Sequence, residues 1–185
     1  MGKENEYITE DHRAFIEDQK MFFVCTSPLS AEGHINLSPK GFDCFRVLSP
    51  TRVGYLDITG SGNETSAHLL ENGRITFMFC AFDGPPKILR LYGKGKTVLP
   101  GDTEWNKLSE QFTILPATRQ LIIADIFMVK SSCGFGVPVY SYEGERDHAI
   151  KWAEKKGPEG LEEYKKEKNM ISMDGLRAPI ANMFT

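Results

Sequence analysis

The sequence lacks both a long apolar segment and a large excess of charge of either sign. No apolar run is long enough to cross a bilayer, and the N-terminal stretch MGKENEYITEDHR is polar, without the apolar core of a secretory signal. The formal net charge is −3 over 185 residues, so general electrostatic attraction to nucleic acid or to an anionic membrane is not expected. We therefore expect a cytoplasmic protein without nucleic-acid or membrane partners, which would hold any anionic ligand through a few placed cations.

Cysteine pairs at short spacing are also missing. No two cysteines form a CxxC pair, and no histidine stands at a metal-ligand spacing from a cysteine. This pattern favours reduced, structural thiols and predicts neither a disulfide nor a metal site. The four cysteines are Cys25, Cys44, Cys80 and Cys133.

Two common nucleotide-binding loops are absent as well. The stretch DITGSGNETSAHLLENGR has Thr65 where a dinucleotide fingerprint needs its third glycine, and it lacks a βαβ context. The stretch YGKGKTV lies inside a predicted strand, whereas a phosphate loop of the Walker type opens a helix. Neither motif therefore assigns a nucleotide.

Strand patterns dominate the first two thirds of the chain. Five or six short strands precede any long helical stretch, and the links between them are mostly too short for repeated βαβ crossovers. The pattern predicts an α+β, mainly β fold, an antiparallel barrel or sandwich in one domain over residues 1–185. Its core would span about 10–132, with a helix over about 10–20 and a helical C-terminal tail over about 147–185.

The glycine-rich stretch after residue 57 has the composition of an anion site. Gly60 and Gly62 would let the backbone approach an anion, and Asn63, Thr65 and Ser66 would add donors at the N-terminus of a short helix. In that arrangement the side chain of Glu64 would have to point away. A capped helix after a tight turn needs the same residue types, so a purely structural role stays open.

A second polar cluster follows the predicted strand around His34. Alternate residues of a strand share a face, so Asn36, Ser38 and Lys40 would project together, and Lys40 would supply a cation. Arg90 stands among apolar residues of another strand, where a buried arginine needs a partner. A polar strand rim and a surface-facing Arg90 are the structural alternatives.

Four segments, taken in order and spacing, resemble one family. FFVCTSP, HINLSPKG, RVGYLDITGSGNETSAHLLENGRITFMFC and RLYGKGKTV are similar to the pyridoxamine 5'-phosphate oxidase-like flavoproteins, and more narrowly to their pyridoxamine phosphate oxidase-related FMN-binding branch. The resemblance covers about residues 10–130, and the C-terminal tail is also similar to that branch.

The resemblance implies an antiparallel split β-barrel with flanking helices, in a homodimer that holds FMN at the subunit interface. The helix with Thr65 and Ser66 would face the FMN phosphate, although classical members of the family carry an arginine and a lysine at these two positions. Lys40 would then supply the main opposite charge, with Arg90 as a further candidate. The cofactor-binding residues implied by the loop and by the resemblance are Asn36, Leu37, Ser38, Lys40, Ile58, Thr59, Gly60, Asn63, Thr65, Ser66 and Arg90.

For function, the resemblance implies an FMN-dependent oxidoreductase whose substrate and electron donor the sequence does not give. A non-catalytic flavin-binding or sensing protein is the first alternative, and a dimeric interaction protein without cofactor is the second. Arg146 and His148 have the spacing of the family's pyridoxal-phosphate site, but they open a predicted helix. No catalytic residue is assigned.

Overall fold

Strands fill most of the chain up to residue 132, and the longest helix follows them. The computed structural model describes residues 2–184. The helices are α1 (Glu10–Asp18), α2 (Glu64–Asn72), α3 (Trp105–Ser109) and α4 (His148–Lys168), followed by a 3₁₀ turn (Pro179–Met183). The strands are β1 (Glu4–Asn5), β2 (Phe22–Thr26), β3 (Asn36–Lys40), β4 (Phe45–Ser49), β5 (Arg52–Ile58), β6 (Arg74–Cys80), β7 (Ile88–Val98) and β8 (Thr118–Ser132).

All strand pairs belong to one antiparallel sheet with the order β3-β2-β6-β7-β8-β5-β4, and β1 pairs with β8. The sheet curls but does not close, because β3 and β4 end it without pairing to each other. Side chains nevertheless meet across the opening, where Lys40 on β3 lies 3.0 Å from Asp57 on β5. The predicted α+β fold with an antiparallel split barrel and flanking helices is confirmed.

The inside of the curled sheet is filled by apolar residues from almost every strand. In β2 the burial alternates along the strand, as expected when one face of a strand lines a core. Rings from β2, β4, β5 and β6 pack against each other with centroid separations of 4.9 to 6.4 Å. This aromatic cluster consists of Phe22, Phe45, Tyr55, Phe77 and Phe79.

Local sequence signals explain most helix ends. Thr9 caps α1, since its hydroxyl accepts from the backbone N–H of His12. α2 ends at Gly73, whose φ of 70° is the left-handed conformation that glycine adopts without strain. α4 contains a kink at Gly157, with φ 68°, directly before Pro158.

One predicted helix differs from the structure. Trp105, Leu108 and Phe112 recur at helical spacing after Asp102, a residue type that often caps helices, and this pattern predicts a helix over all of them. α3 has only five residues, however, and ends at Ser109. The carboxylate of Asp102 accepts from the backbone N–H of Leu99 instead and closes a tight turn. Phe112 is still buried, so its apolar spacing reflects the core and not a longer helix.

None of the helices within residues 2–184 is both long enough and apolar enough to cross a membrane.

Candidate functional site

The opening of the barrel forms a cleft of about 540 Å³ between β3 and β5. The loop 59–63, the start of α2 and the first turn of α4 complete its walls. It lies at the side where the sheet fails to close, and residues of both strands line it. The residues that line it are Asn36, Ser38, Pro39, Lys40, Gly41, Phe42, Cys44, Leu56, Asp57, Ile58, Thr59, Gly60, Ser61, Gly62, Glu64, Thr65, Arg119 and Ala149.

A buried carboxylate, Asp57, organises the charges of the cleft. One of its oxygens accepts from Lys40 Nζ at 3.0 Å, and the other accepts from Arg119 Nε and Gln120 Nε2, both at 2.8 Å. Burial alone would raise the pKa of Asp57, but the neighbouring charges of Arg119 and Lys40 outweigh it and hold the pKa well below its ordinary value. Asp57 is therefore ionised at neutral pH, and the two cations leave this cluster with one net positive charge.

The wall formed by β3 and α2 carries a chain of polar side chains. Ser38 Oγ donates to Asn36 Oδ1 at 3.2 Å, and Asn36 Nδ2 donates to Thr65 Oγ1 at 2.9 Å. Thr65 accepts from Asn36, and its own hydroxyl hydrogen can be donated either to the neighbouring hydroxyl of Tyr55 or to an acceptor in the cleft. These donors stand beside the N-terminus of α2, where backbone N–H groups lack partners within the helix.

The glycine-rich loop is fixed from below by buried amides. Asn63 occupies the N-cap position of α2, where asparagine is a common capping residue, but its side chain makes no capping bond. Its side chain donates to the carbonyl of Asn169 at 3.0 Å and accepts from Gln120 at 2.8 Å. Asn169 in turn donates to the carbonyl of Gly60 at 2.8 Å. The segment after α4 thus holds the loop in place, a contact that no local sequence pattern indicates.

Glu64, the one acid in the anion-site stretch, has its carboxylate engaged by the C-terminal segment. Both oxygens accept from the backbone N–H of Met173, at 3.1 and 3.2 Å. Although Glu64 contributes to the cleft wall, this bond directs its charge toward the tail.

Seven of the predicted cofactor-binding residues come together in the cleft. They are Asn36, Ser38, Lys40, Ile58, Thr59, Gly60 and Thr65.

The other four predicted residues do not line the cleft. Leu37 projects from the opposite face of β3 and is 62% exposed, and Asn63 is buried beneath the loop. The hydroxyl of Ser66 is buried against Thr97 Oγ1 at 2.8 Å, so this residue can offer an anion only its backbone N–H. Arg90 lies on β7 and donates to Ser132 Oγ at 3.3 Å.

The sequence-based prediction missed Arg119 and Asp57, which are both almost fully buried. Each had the same signal that drew attention to Arg90, namely a charged residue within a largely apolar strand pattern. Arg119 also donates to the carbonyl of Gly62 at 2.8 Å, which ties β8 to the glycine-rich loop. Lys40 is therefore accompanied at the cleft by a second cation, since Arg119 also lines it and both share Asp57.

The remaining candidates for acid–base or nucleophilic chemistry either lie outside this cleft or are not in a reactive form. Arg146 and His148 are exposed and do not line it. Burial raises the pKa of the Cys44 thiol to about 12, so this cleft residue is not a thiolate at neutral pH. All four cysteines are free thiols, and no group of three potential metal ligands occurs among residues 2–184.

Comparison with known proteins identifies the relatives of this chain. Residues 8–125 match the family model for pyridoxamine 5'-phosphate oxidase. The pyridoxamine 5'-phosphate oxidase family protein ustO of Aspergillus flavus is 39% identical over 188 residues, covering 92% of this chain and 75% of that protein.

Solved structures show the same fold at low identity. A HupZ variant from Group A Streptococcus superposes with a TM-score of 0.54 at 19% identity, over 68% of this chain and 99% of that one. The FAD binding protein from Mycobacterium smegmatis gives a TM-score of 0.50 at 13% identity, over 68% and 96% of the two chains. With its fold, its family-model match and its fungal relative in agreement, the chain belongs to the pyridoxamine 5'-phosphate oxidase family.

Proposed function

We propose that this protein binds FMN in the cleft between β3 and β5 and acts as an FMN-dependent oxidoreductase. The observation that carries the proposal is the meeting of the α2 N-terminus with the net positive cluster of Lys40, Arg119 and Asp57. A phosphate monoester suits such a place, because it accepts bonds from backbone N–H groups and from cations at the same time.

The donor set of the cleft fits the phosphate of FMN. Thr65, whose hydroxyl can donate to a ligand in the cleft, and the backbone N–H groups of the first turn of α2 stand on one side. Lys40 and Arg119 stand on the other side and would hold the phosphate. The carboxylate of Glu64 would repel it little, since it is bonded to the backbone of the tail. Among relatives, the Mycobacterium smegmatis neighbour is described as binding FAD, which supports a flavin in this fold and leaves FMN as our inference from the phosphate site.

The ring of the flavin would lie against backbone from Asn36 to Ser38 and from Ile58 to Thr59, at the two edges of the opening. Bound FMN would supply the electron-transfer chemistry, and the chain would bind it, orient it and tune its potential through bonds and nearby charge. No side chain is assigned as acid or base. A cytoplasmic location and one flavin-binding domain over residues 1–185, as expected from the sequence, belong to the same proposal.

Cofactor content and turnover separate this proposal from its alternatives. Purified protein reconstituted with FMN should absorb near about 450 nm, where oxidised flavin absorbs, and should keep that absorbance through gel filtration. Oxidation of NADH or NADPH by this complex would support the oxidoreductase. A stable complex that no donor reduces would favour a flavin-binding or sensing protein, and failure to retain FMN would favour an interaction protein.

We also propose a homodimer with the flavin at the subunit interface, and this predicts a measurable assembly. Ile35, directly before β3, and Leu37, on the outer face of β3, are 71% and 62% exposed. Two neighbouring apolar side chains with such exposure form an apolar patch beside the cleft. Burial of this face by a second copy would contribute to a stable interface. Sedimentation equilibrium at micromolar concentration should give a dimer. A monomer that persists at high micromolar concentration would contradict the shared site.

A further inference from the structure

A second cavity, of about 440 Å³, shares Arg119 with the proposed flavin cleft. Its walls come mainly from α4 and the C-terminal 3₁₀ turn, outside residues 8–125 that match the family model. Most of the lining is apolar, including Pro116, Leu161, Ile180 and Phe184. A cavity of this kind can surround the body of a small organic molecule.

Arg119 gives the cavity a buried cation. Its side chain is 95% buried and lines both the flavin cleft and this cavity. Nε donates to Asp57 and Nη1 to the carbonyl of Gly62, while Nη2 has no bond to another described residue. One face of the guanidinium is thus committed to the protein, and one nitrogen remains to donate to a ligand.

Lys165 supplies a second cation on the cavity wall. It is half-buried, and no carboxylate among residues 2–184 lies within ion-pair distance of its Nζ. Burial lowers the pKa of Lys165 and the charge of Arg119 lowers it further, with Glu162 acting in the opposite direction. A half-buried ammonium beside a second cation is unfavourable unless an anion joins them.

Two acids also belong to this wall, and neither one neutralises Lys165. Glu162 accepts from Lys166 Nζ at 2.7 Å, and its side chain is 58% exposed. Glu154 is exposed to solvent as well. Solvent screens both at the mouth, whereas Arg119 and Lys165 lie deeper, where charges are screened less.

We propose that this cavity is a binding site for a small organic carboxylate with an apolar body, whose carboxylate would be held by Lys165 and Arg119. The apolar lining would cover the body of the molecule. Its carboxylate would supply the negative charge that the two cations lack within the cavity. The site shares Arg119 with the flavin cleft, but Lys165 and the apolar lining do not belong to that cleft, so the proposal does not depend on FMN binding.

The test uses 3-phenylpropanoate as the probe and 3-phenylpropanamide as its uncharged counterpart. Both are titrated into the full-length, ¹⁵N-labelled protein, and the amide signals of Ala153, Leu161 and Ile180 report on the cavity. The carboxylate should shift these signals in a saturable way, with at least about tenfold tighter binding than the amide, which corresponds to about 1.4 kcal/mol.

Three variants separate a charge effect from a loss of structure. Lys165→Met should weaken binding of 3-phenylpropanoate by about tenfold or more. Lys165→Arg, which keeps the charge, should bind it within about threefold of the wild-type affinity. Lys155→Met is the matched control, because Lys155 is exposed on the same helix and does not line the cavity. The affinity of this variant for 3-phenylpropanoate should stay within about twofold of the wild-type value. The proposal is overturned if the probe shifts no cavity signals, if it shifts only Gly60 and Thr65 in the flavin cleft, or if Lys165→Met binds as the wild type does.

Discussion

Replacing Asp57 with asparagine is expected to lower the free energy of unfolding by about 3–5 kcal/mol, the usual cost of breaking a buried ion pair on one side. Asparagine keeps the size of the side chain but leaves Arg119, which is 95% buried, and Lys40 without their counter-charge. The same change leaves Lys40 and Arg119 without their carboxylate partner at the cleft. The protein that still folds should therefore bind FMN with an affinity different from that of the wild type. Urea denaturation monitored by circular dichroism measures the loss.

A matched control distinguishes this buried network from ordinary surface charge. Asp125 is also on a strand and near an arginine, but its side chain is 76% exposed and lies 3.8 Å from Arg52 Nε. Asp125→Asn should cost less than about 1 kcal/mol, as exposed ion pairs do. An equal loss of unfolding free energy in the two variants would show that the buried Asp57 network stabilises the fold no more than an exposed ion pair does.

The pH dependence of this effect has a definite sign. The pKa of Asp57 in the folded protein is lowered, whereas an unfolded aspartate titrates near about 3.9. The ionised carboxylate therefore stabilises the fold fully above that value, and the contribution is lost as the pH falls below it. The stability gap between wild type and Asp57→Asn should be constant above about pH 5 and shrink below about pH 4. A gap that stays unchanged in acid would show that the ionisation of Asp57 does not stabilise the fold.

Thr65→Val is expected to weaken FMN binding by about ten- to a hundredfold, because one hydrogen bond to a charged group contributes about 1.5–3 kcal/mol. Valine keeps the shape of threonine but removes the hydroxyl that faces the cleft and accepts from Asn36. Fluorescence quenching of FMN on titration with protein measures the dissociation constant. Riboflavin, which lacks the phosphate, should be nearly indifferent to the change.

The neighbouring residue provides the control for this prediction. Ser66 belongs to the same turn of α2, but its hydroxyl is buried against Thr97 and does not reach the cleft. Ser66→Ala should therefore leave the affinity for FMN within about twofold while it costs some stability through the lost bond. If Ser66→Ala weakens FMN as much as Thr65→Val does, α2 acts through its general stability and not through a donor at Thr65.

Local patterns in the sequence were enough to predict much of the fold. The alternation of Asn36, Ser38 and Lys40 placed their side chains on one face of a strand, and the structure brings all three into the cleft. Thr9 and Gly73 stand at helix ends, where their residue types are expected, because capping depends on residues that are close in sequence. The glycine-rich stretch before α2 was identified for the same reason.

Contacts between distant residues could not be predicted in this way. Asn63 has the side chain of a capping residue, yet it turns inward because Gln120 and Asn169, more than fifty residues away, satisfy it. Ser66 looked equivalent to Thr65, but the helix turns its hydroxyl toward β7. Arg119 is noticed only when the curled sheet brings β8 beside Asp57 and the loop at Gly62. Nothing within a short window of sequence specifies these pairs.

Recognition of the FMN phosphate by this cleft is tested most directly by the ratio of the dissociation constants of riboflavin and FMN for the wild-type protein. The two ligands share the ring and the ribityl chain and differ in the phosphate alone. If the α2 N-terminus, Thr65, Lys40 and Arg119 hold that phosphate, at least two charge-assisted bonds are lost with riboflavin. Riboflavin should then bind at least about a hundredfold more weakly, and the ratio should decrease as salt is added. Equal affinities for the two flavins would contradict the phosphate assignment.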